Sequence, residues 1–363
     1  MSEQKAQVLI VGVGGVGAMA AYALEIGGKA EVTAVLRSNY NAVAERGFKI
    51  DSIEHGHDIK GFRPSYTRKT IPDVAQEQLQ KPFDFILVTT KNIPDVPPTV
   101  ADLIAPAVTP GKTVIVLSQN GLNIEKPLLA RFPGNSILSS ISLIAATETA
   151  HGEILHDDKD AQYISPFAAG PRVAPSEASV AAAHRYIEIY NACGKLNIMY
   201  EPDAQLARWR KLVYNASFNS VAAVLRMDTA RMRASRHVID DLVKPIMKEI
   251  VAAAGAAGYT FPEDLPEKVI RVDPTDTAFK PSMCQDVEKG NFMEIENIVG
   301  EPLREGEARG VSMPTLHTMY GLLKGLQLQV KEARGCGSPS SRRTTLTNSD
   351  EDSPNDCYSS HQQ

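Results

Sequence analysis

The sequence predicts an α/β fold: an N-terminal, Rossmann-type doubly wound parallel sheet followed by an all-helical C-terminal domain. Three observations predict it. Short apolar runs alternate with helical patterns through the first half, a glycine-rich loop follows the first run, and from about Asp203 the apolar period lengthens to that of amphipathic helices.

The apolar runs are residues 7–11, 31–36, 83–89, 112–117 and 137–144. Rich in Val and Ile and bounded by Gly, Pro, Asn or Asp, they read as strands buried on both faces. Residues 151–200 give two short strands, a helix over about 176–193 and one more strand. Long helices are expected near 203–226, 235–257, 291–309 and 314–333, with no repeat of fixed period. The expected domains are residues 1–200, of Rossmann type, and 201–334, helical; 335–363 form a polar tail expected to be disordered.

Composition excludes several classes of function. Hydrophobic residues make up 43% and charged residues 22%, the values of an ordinary soluble protein. A formal net charge of -5 offers no broad positive field for nucleic acid or an anionic membrane. The four cysteines, Cys193, Cys284, Cys336 and Cys357, form no CxxC pair, and the eight histidines form no HExxH, so neither a metal site nor a disulfide framework is expected. The polar start and the lack of a membrane-length apolar run point to a soluble, cytoplasmic protein. Its partner is then a small molecule, and its oligomeric state, a homodimer among the options, is not readable from the chain.

Gly12-Val13-Gly14-Gly15-Val16-Gly17 follows the first strand and opens a helix. In such a loop the first glycine permits a tight turn, the second lets the backbone approach a dinucleotide's pyrophosphate, and the third lets helix and strand pack closely. Free amides and the positive end of the helix dipole then hold the diphosphate. After the second strand, where NAD-selective enzymes place an acid for the ribose hydroxyls, stands Arg37. A guanidinium cannot accept those bonds but can grip a phosphate dianion, which favours NADP; a solvated surface arginine is the plainer alternative.

Lys211, Asn215 and Asn219 recur every fourth residue in an otherwise apolar helical stretch. That spacing forms a polar stripe, and two asparagines in such a helix call for a compensating contact. A ligand cleft, a hydrogen-bonded seam between domains and a wet outer face all supply one. Glu294 is expected in the first turn of a second helix, where its charge suits either a site or the helix dipole. Asn120-Gly121 follows the strand ending at Leu117, at the edge where open α/β sheets bind ligands, although Asn-Gly is also a common turn pair.

Together with Val88-Thr89-Thr90-Lys91, Ser118-Gln119-Asn120-Gly121, Trp209-Arg210-Lys211-Leu212 and Pro281-Ser282-Met283-Cys284-Gln285-Asp286, these stretches resemble the ketopantoate reductase family over nearly all of residues 7–331. The resemblance implies that Lys211 is the proton donor of an NADPH-dependent 2-keto acid reduction and that Asn215 and Asn219 help bind the keto acid. It also implies that Ser282 contacts the substrate carboxylate, that Lys91, Asn120 and Glu294 surround nicotinamide and substrate, and that a main-chain contact falls near Glu148. One departure stands out: Thr229 lies where bacterial members carry a third asparagine. It keeps open a paralogous reductase of another 2-keto acid; a non-catalytic NADP-binding sensor is the rival of a different class. Tyr200-Glu201-Pro202 is the expected hinge for closure over bound ligands.

Overall fold

The computed structural model describes residues 4–78, 81–168, 170 and 173–336. Residues 337–363, with most of the expected tail and Cys357, lie outside them. Within the described residues the chain folds into two compact units. One comprises the residues up to Lys91, Val100–Asn120 and Ile124–Ala207; the other comprises Asn92–Thr99, Gly121–Asn123 and the chain from Arg208 onward. The division expected after residue 200 thus falls after Ala207, inside a helix. Two short segments count with the second unit because their polar groups bond to its helices: the Asn92 N–H to Glu294 and the Leu122 N–H to the Asn297 carbonyl.

Among the described residues the first unit holds twelve strands: β1 Ala6–Val11, β2 Ala30–Val35, β3 Phe48–Ser52, β4 Gly56–Phe62, β5 Tyr66–Arg68, β6 Phe85–Val88, β7 Val114–Leu117, β8 Ile137–Ser142, β9 Ala145–Ala150, β10 Glu153–Asp158, β11 Gln162–Pro166 and β12 Met199–Tyr200. Eight form one sheet in the order β12-β11-β8-β7-β6-β1-β2-β5. Strands β1, β2, β5, β6, β7 and β8 run parallel, while β11 pairs antiparallel with β8. In β1, Val8 and Ile10 enter one core while Leu9 and Val11 enter the other, so the strand reads as one continuous apolar run. From β1 the chain moves to β2 on one side and later to β6 on the other, which puts a topological switch point at the carboxyl ends of β1 and β6.

A second sheet, β4-β3-β10-β9, was not foreseen. β10 was expected only as a short strand, whereas its parallel partner β3 lies about a hundred residues earlier, Lys49 opposite Glu153.

The second unit is helical, with one large core that includes Trp209, Phe218, Met247 and Leu316. Three of its four long helices depart from the expected regularity. The first runs as an α-helix over Ala204–Tyr214, widens to a π-helical turn at Asn215–Asn219, and resumes at Ser220–Leu225. The second and third contain π-helical turns at Val238–Val243 and Glu296–Gly300, each followed within two residues by a proline, Pro245 or Pro302. Proline gives up an i to i−4 hydrogen bond and crowds the preceding turn, and a widened turn accommodates both. The turn at Asn215–Asn219 has no proline. There the hydroxyls of Ser217 and Ser220 donate to the carbonyls of Val213 and Ala216 and compete with the α-helical ladder. The fourth helix, Pro314–Ala333, is unbroken.

Candidate functional site

In the first unit the carboxyl ends of β1, β6 and β7 are tied into a rail. The Thr89 hydroxyl donates to the Gly12 carbonyl, and Gln119 Nε2 donates to the carbonyl of Thr90 at 2.7 Å and to its hydroxyl at 3.2 Å. This fixes the backbone of the glycine loop relative to the segments that carry Lys91 and Asn120. Gly12 has φ of +96°, and a Cβ there would stand 2.6 Å from Thr90 Cγ2. A side chain at Gly17 would collide with the Gly12 carbonyl, and one at Gly15 with the Ala146 carbonyl of β9. At Gly14 the space a Cβ would take is open.

The helix Gly15–Ile26 begins there with no side-chain cap and no acidic residue in its first turn. Its first turn therefore carries no carboxylate of its own to compete for the first amides and the positive end of the dipole. These features fit a dinucleotide diphosphate: a Cβ-free approach at Gly14 and a positive helix end beside it.

Arg37 follows β2 by two residues and is exposed. Because Val35 of β2 is in register with Arg68 of β5, the neighbouring Lys69 emerges at the same sheet end, its Nζ 4.8 Å from the centroid of the Tyr40 ring. Positive charge is thus gathered where an adenosine 2′-phosphate would lie in a Rossmann fold.

Asn39 escaped the sequence reading. Buried, it donates from Nδ2 to the Val13 carbonyl at 2.8 Å and to Glu148 Oε1 at 2.9 Å, so it clamps the glycine loop. Glu148 reaches the loop through Asn39 and also accepts from the Gly152 N–H. The β9 main chain meets the loop at Ala146 instead. Nothing local in the sequence distinguishes an asparagine four residues after β2 from an ordinary turn residue.

In the second unit Lys211 lies in the last turn of Ala204–Tyr214. It is half-buried by surface yet densely surrounded by protein. This desolvation, with Arg208 adding to it and Glu294 opposing it, lowers its pKa from 10.5 to about 8. Asn215 and Asn219 are buried in the π-helical turn, which packs against the other two π-helical turns and against the helix Ser282–Glu288. The expected polar stripe is therefore not carried on a regular α-helix. Such widened turns are rare and concentrate at functional sites.

Ser282 is the first residue of its helix and half-buried. Glu294 precedes its helix rather than lying in its first turn, because the helical backbone begins at Ile295. Its carboxylate accepts from the Asn92 N–H at 3.0 Å. Asn92 directly follows Lys91 in the chain. Gly121 has φ of +102° and would collide with Asn297 if it carried a side chain, so the Asn-Gly pair is more than a generic turn. Thr229 is fully buried, opens the helix Thr229–Ala234 and donates its N–H to the Phe279 carbonyl.

Among the described residues no cluster of three or more His, Cys, Asp or Glu is placed to hold a metal ion, and no helix is long and apolar enough to cross a membrane.

The chain matches the family model described as Ketopantoate reductase PanE/ApbA over residues 8–169 and its C-terminal companion over residues 203–327. An uncharacterized protein of Saccharomyces cerevisiae is 33% identical over 349 residues, covering 91% of this chain and 96% of that protein. The 2-dehydropantoate 2-reductase of Nostoc sp. is 26% identical over 326 residues, covering 90% and 96%. Among solved structures, 2-dehydropantoate 2-reductase from Methylococcus capsulatus aligns with a TM-score of 0.74 and 30% identity, covering 89% of this chain and 97% of that one. D-mandelate dehydrogenase bound to NADH and anilino(oxo)acetate shares the fold, with a TM-score of 0.73 at 19% identity. Two family models that together match residues 8–169 and 203–327, and a relative 33% identical over nearly the whole chain, lead to one conclusion: the chain belongs to the ketopantoate reductase family of oxidoreductases.

Proposed function

We propose that the chain reduces a 2-keto acid with NADPH in the cytoplasm, ketopantoate (2-dehydropantoate) to pantoate being the first candidate, a step of pantothenate and coenzyme A biosynthesis. The observation that carries the reading is Lys211, an ammonium drawn out of water and poised near pKa 8 with Glu294 as its nearby carboxylate. A general acid works best with a pKa near the operating pH.

Bound NADPH supplies the hydride that C2 of the keto acid receives. Lys211 stabilises the negative charge that grows on the carbonyl oxygen and then gives that oxygen its proton, which solvent later restores. Asn215 and Asn219 offer amides to the substrate's polar groups, and Ser282 offers a hydroxyl to its carboxylate. Glu294, held by the Asn92 N–H, favours the charged form of Lys211 and so keeps the acid loaded. On the cofactor side, the glycine loop takes the diphosphate, Arg37 the 2′-phosphate, and Lys91, Asn120 and the region of Glu148 the remainder.

Thr229 favours a second reading within the same chemistry. A buried threonine offers a shorter, single-atom hydrogen-bonding group than an asparagine, so the distal hydroxyl of ketopantoate loses a candidate partner and a different 2-keto acid becomes a contender.

The test is NADPH oxidation with ketopantoate and with a panel of 2-keto acids varied at the distal carbon. Ketopantoate is expected to give the highest kcat/KM; a better acid lacking the distal hydroxyl supports the second reading. Tight NADPH binding with no oxidation by any of them would overturn both in favour of a sensor.

A further inference from the structure

Arg208 is used by none of the steps above, yet it is among the least expected residues in the chain. It is only 3% exposed, and it lies one helical turn before Lys211 on the same helix. Burying a guanidinium is costly, and burying it near a second cation adds repulsion to desolvation. An apolar side chain would fill this place in the core at lower cost.

Its Nη1 donates to the carbonyl of Gly121 at 3.0 Å. That carbonyl belongs to a segment held from several sides. Leu122 donates its N–H to the Asn297 carbonyl at 2.7 Å and accepts from Asn297 Nδ2 at 3.1 Å, while Asn123 Nδ2 reaches Glu301 at 2.7 Å and Glu305 at 2.8 Å. The residue before Gly121 is Asn120, a candidate contact to cofactor and substrate. Arg208 therefore bonds to the residue that follows Asn120 in the chain and contributes to the electrostatic surroundings of Lys211. Among the charged groups that act on the Lys211 ammonium, Arg208 opposes its charge and Glu294 favours it.

We propose that Arg208 is a positioning residue for proton delivery: it fixes the backbone that follows Asn120 and holds a permanent cation one helical turn from Lys211. The inference rests on Lys211 being the proton donor.

The experiment compares wild type, Arg208→Met, Arg208→Gln, Arg208→Lys and Lys211→Ala as full chains, with NADPH and ketopantoate, following kcat/KM from about pH 6 to about pH 10. If Arg208 acts as proposed, removing its charge in Arg208→Met moves the alkaline fall of kcat/KM to higher pH by about half a unit or more. Arg208→Gln, a neutral polar variant that spares the core if the methionine does not fold, moves it the same way. Arg208→Lys keeps the charge and loses the planar fork, so its fall stays near that of wild type while kcat drops roughly 3- to 30-fold.

An arginine with a merely structural part would lower kcat without moving the fall. Neutral variants whose fall stays in place, while Lys211→Ala abolishes it, overturn the inference and leave the proposed function standing. A fall that persists unchanged in Lys211→Ala overturns Lys211 as the acid, and the part of Arg208 with it.

Discussion

Replacing Lys211 by methionine should make the protein more stable at neutral pH. The lysine's pKa falls from 10.5 to about 8 in the folded chain. At ~1.4 kcal/mol per pKa unit, that fall means that holding the ammonium charged in the fold costs roughly 3 kcal/mol relative to the unfolded chain. Methionine keeps the length and apolar stem without the charge. The ammonium's own hydrogen bonds are lost, so a net gain of about 1–2 kcal/mol is expected at about pH 7.

The sign with pH follows from which state holds the proton. Below about pH 8 both folded and unfolded chains are protonated at Lys211, and the full cost is present. As pH rises from about 8 toward 10.5 the folded chain sheds its proton while the unfolded chain keeps it, so wild type recovers the deficit. The advantage of Lys211→Met should therefore shrink across that window. The chain's single tryptophan, Trp209, is buried in the helical core two residues from Lys211 and reports the unfolding of that unit. Urea titrations of Trp209 fluorescence at about pH 7 and about pH 10 measure both gaps. A variant less stable than wild type at neutral pH, or a gap that does not change between the two values, would refute the idea that the ammonium is held against its solvation. A confirmed gap means stability has been given up for a proton in the right place.

Four further outcomes follow from the same geometry. Lys211→Ala should lower turnover roughly 10²- to 10⁴-fold while NADPH binding, measured by calorimetry, stays nearly unchanged; turnover within a few fold of wild type would remove the lysine from the chemistry. The kcat/KM of reduction should be level below about pH 8 and fall above it as Lys211 loses its proton, and Glu294→Gln, by removing the charge that favours the ammonium, should move the fall to lower pH. Arg37→Ala should cut affinity for NADPH roughly 10- to 100-fold and leave NADH binding almost untouched, so equal losses for both dinucleotides would place the arginine elsewhere. Gly15→Ala should lower the melting temperature by several degrees, because its Cβ meets the Ala146 carbonyl, whereas Gly14→Ala should fold normally and bind NADPH poorly; the reverse pattern would show that the open space is misassigned.

The fold was legible where the pattern that makes it is local. Val8, Leu9, Ile10 and Val11 alternate between two cores, so the buried parallel strand, the loop after it and the helix beyond could be read in order. The second sheet could not, for a physical reason. Strand β9, Ala-Ala-Thr-Glu-Thr-Ala, and strand β4 are half-buried or exposed along their length, so neither period nor propensity marked them, and the pairing that joins their two hairpins, β3 with β10, spans about a hundred residues. The π-helical turns were hidden in the same way. A helix that widens by one residue keeps its apolar face, and only the back-bonding serines at Ser217 and Ser220, or the prolines two residues after the other turns, hinted at it.

The candidate site divides along the same line. Residue types were visible in Lys211, Asn215, Asn219 and Glu294, but the sequence could not say which surroundings they meet. A lysine on an apolar helix reads equally as a solvated surface group. What separates the two is whether water has been removed from it and which charges remain nearby, and here those are Arg208 one turn away and Glu294 on a distant segment. Asn39 makes the point from the opposite side. It has the composition of a turn and the contacts of a clamp, and the carboxylate that it shares with Gly152 comes from a strand that the sequence did not announce. The pattern thus named the chemical groups, while long-range packing decides their protonation and aim. For that reason the pH at which reduction falls off, rather than its mere loss in a variant, is the measurement that bears most directly on how this site works.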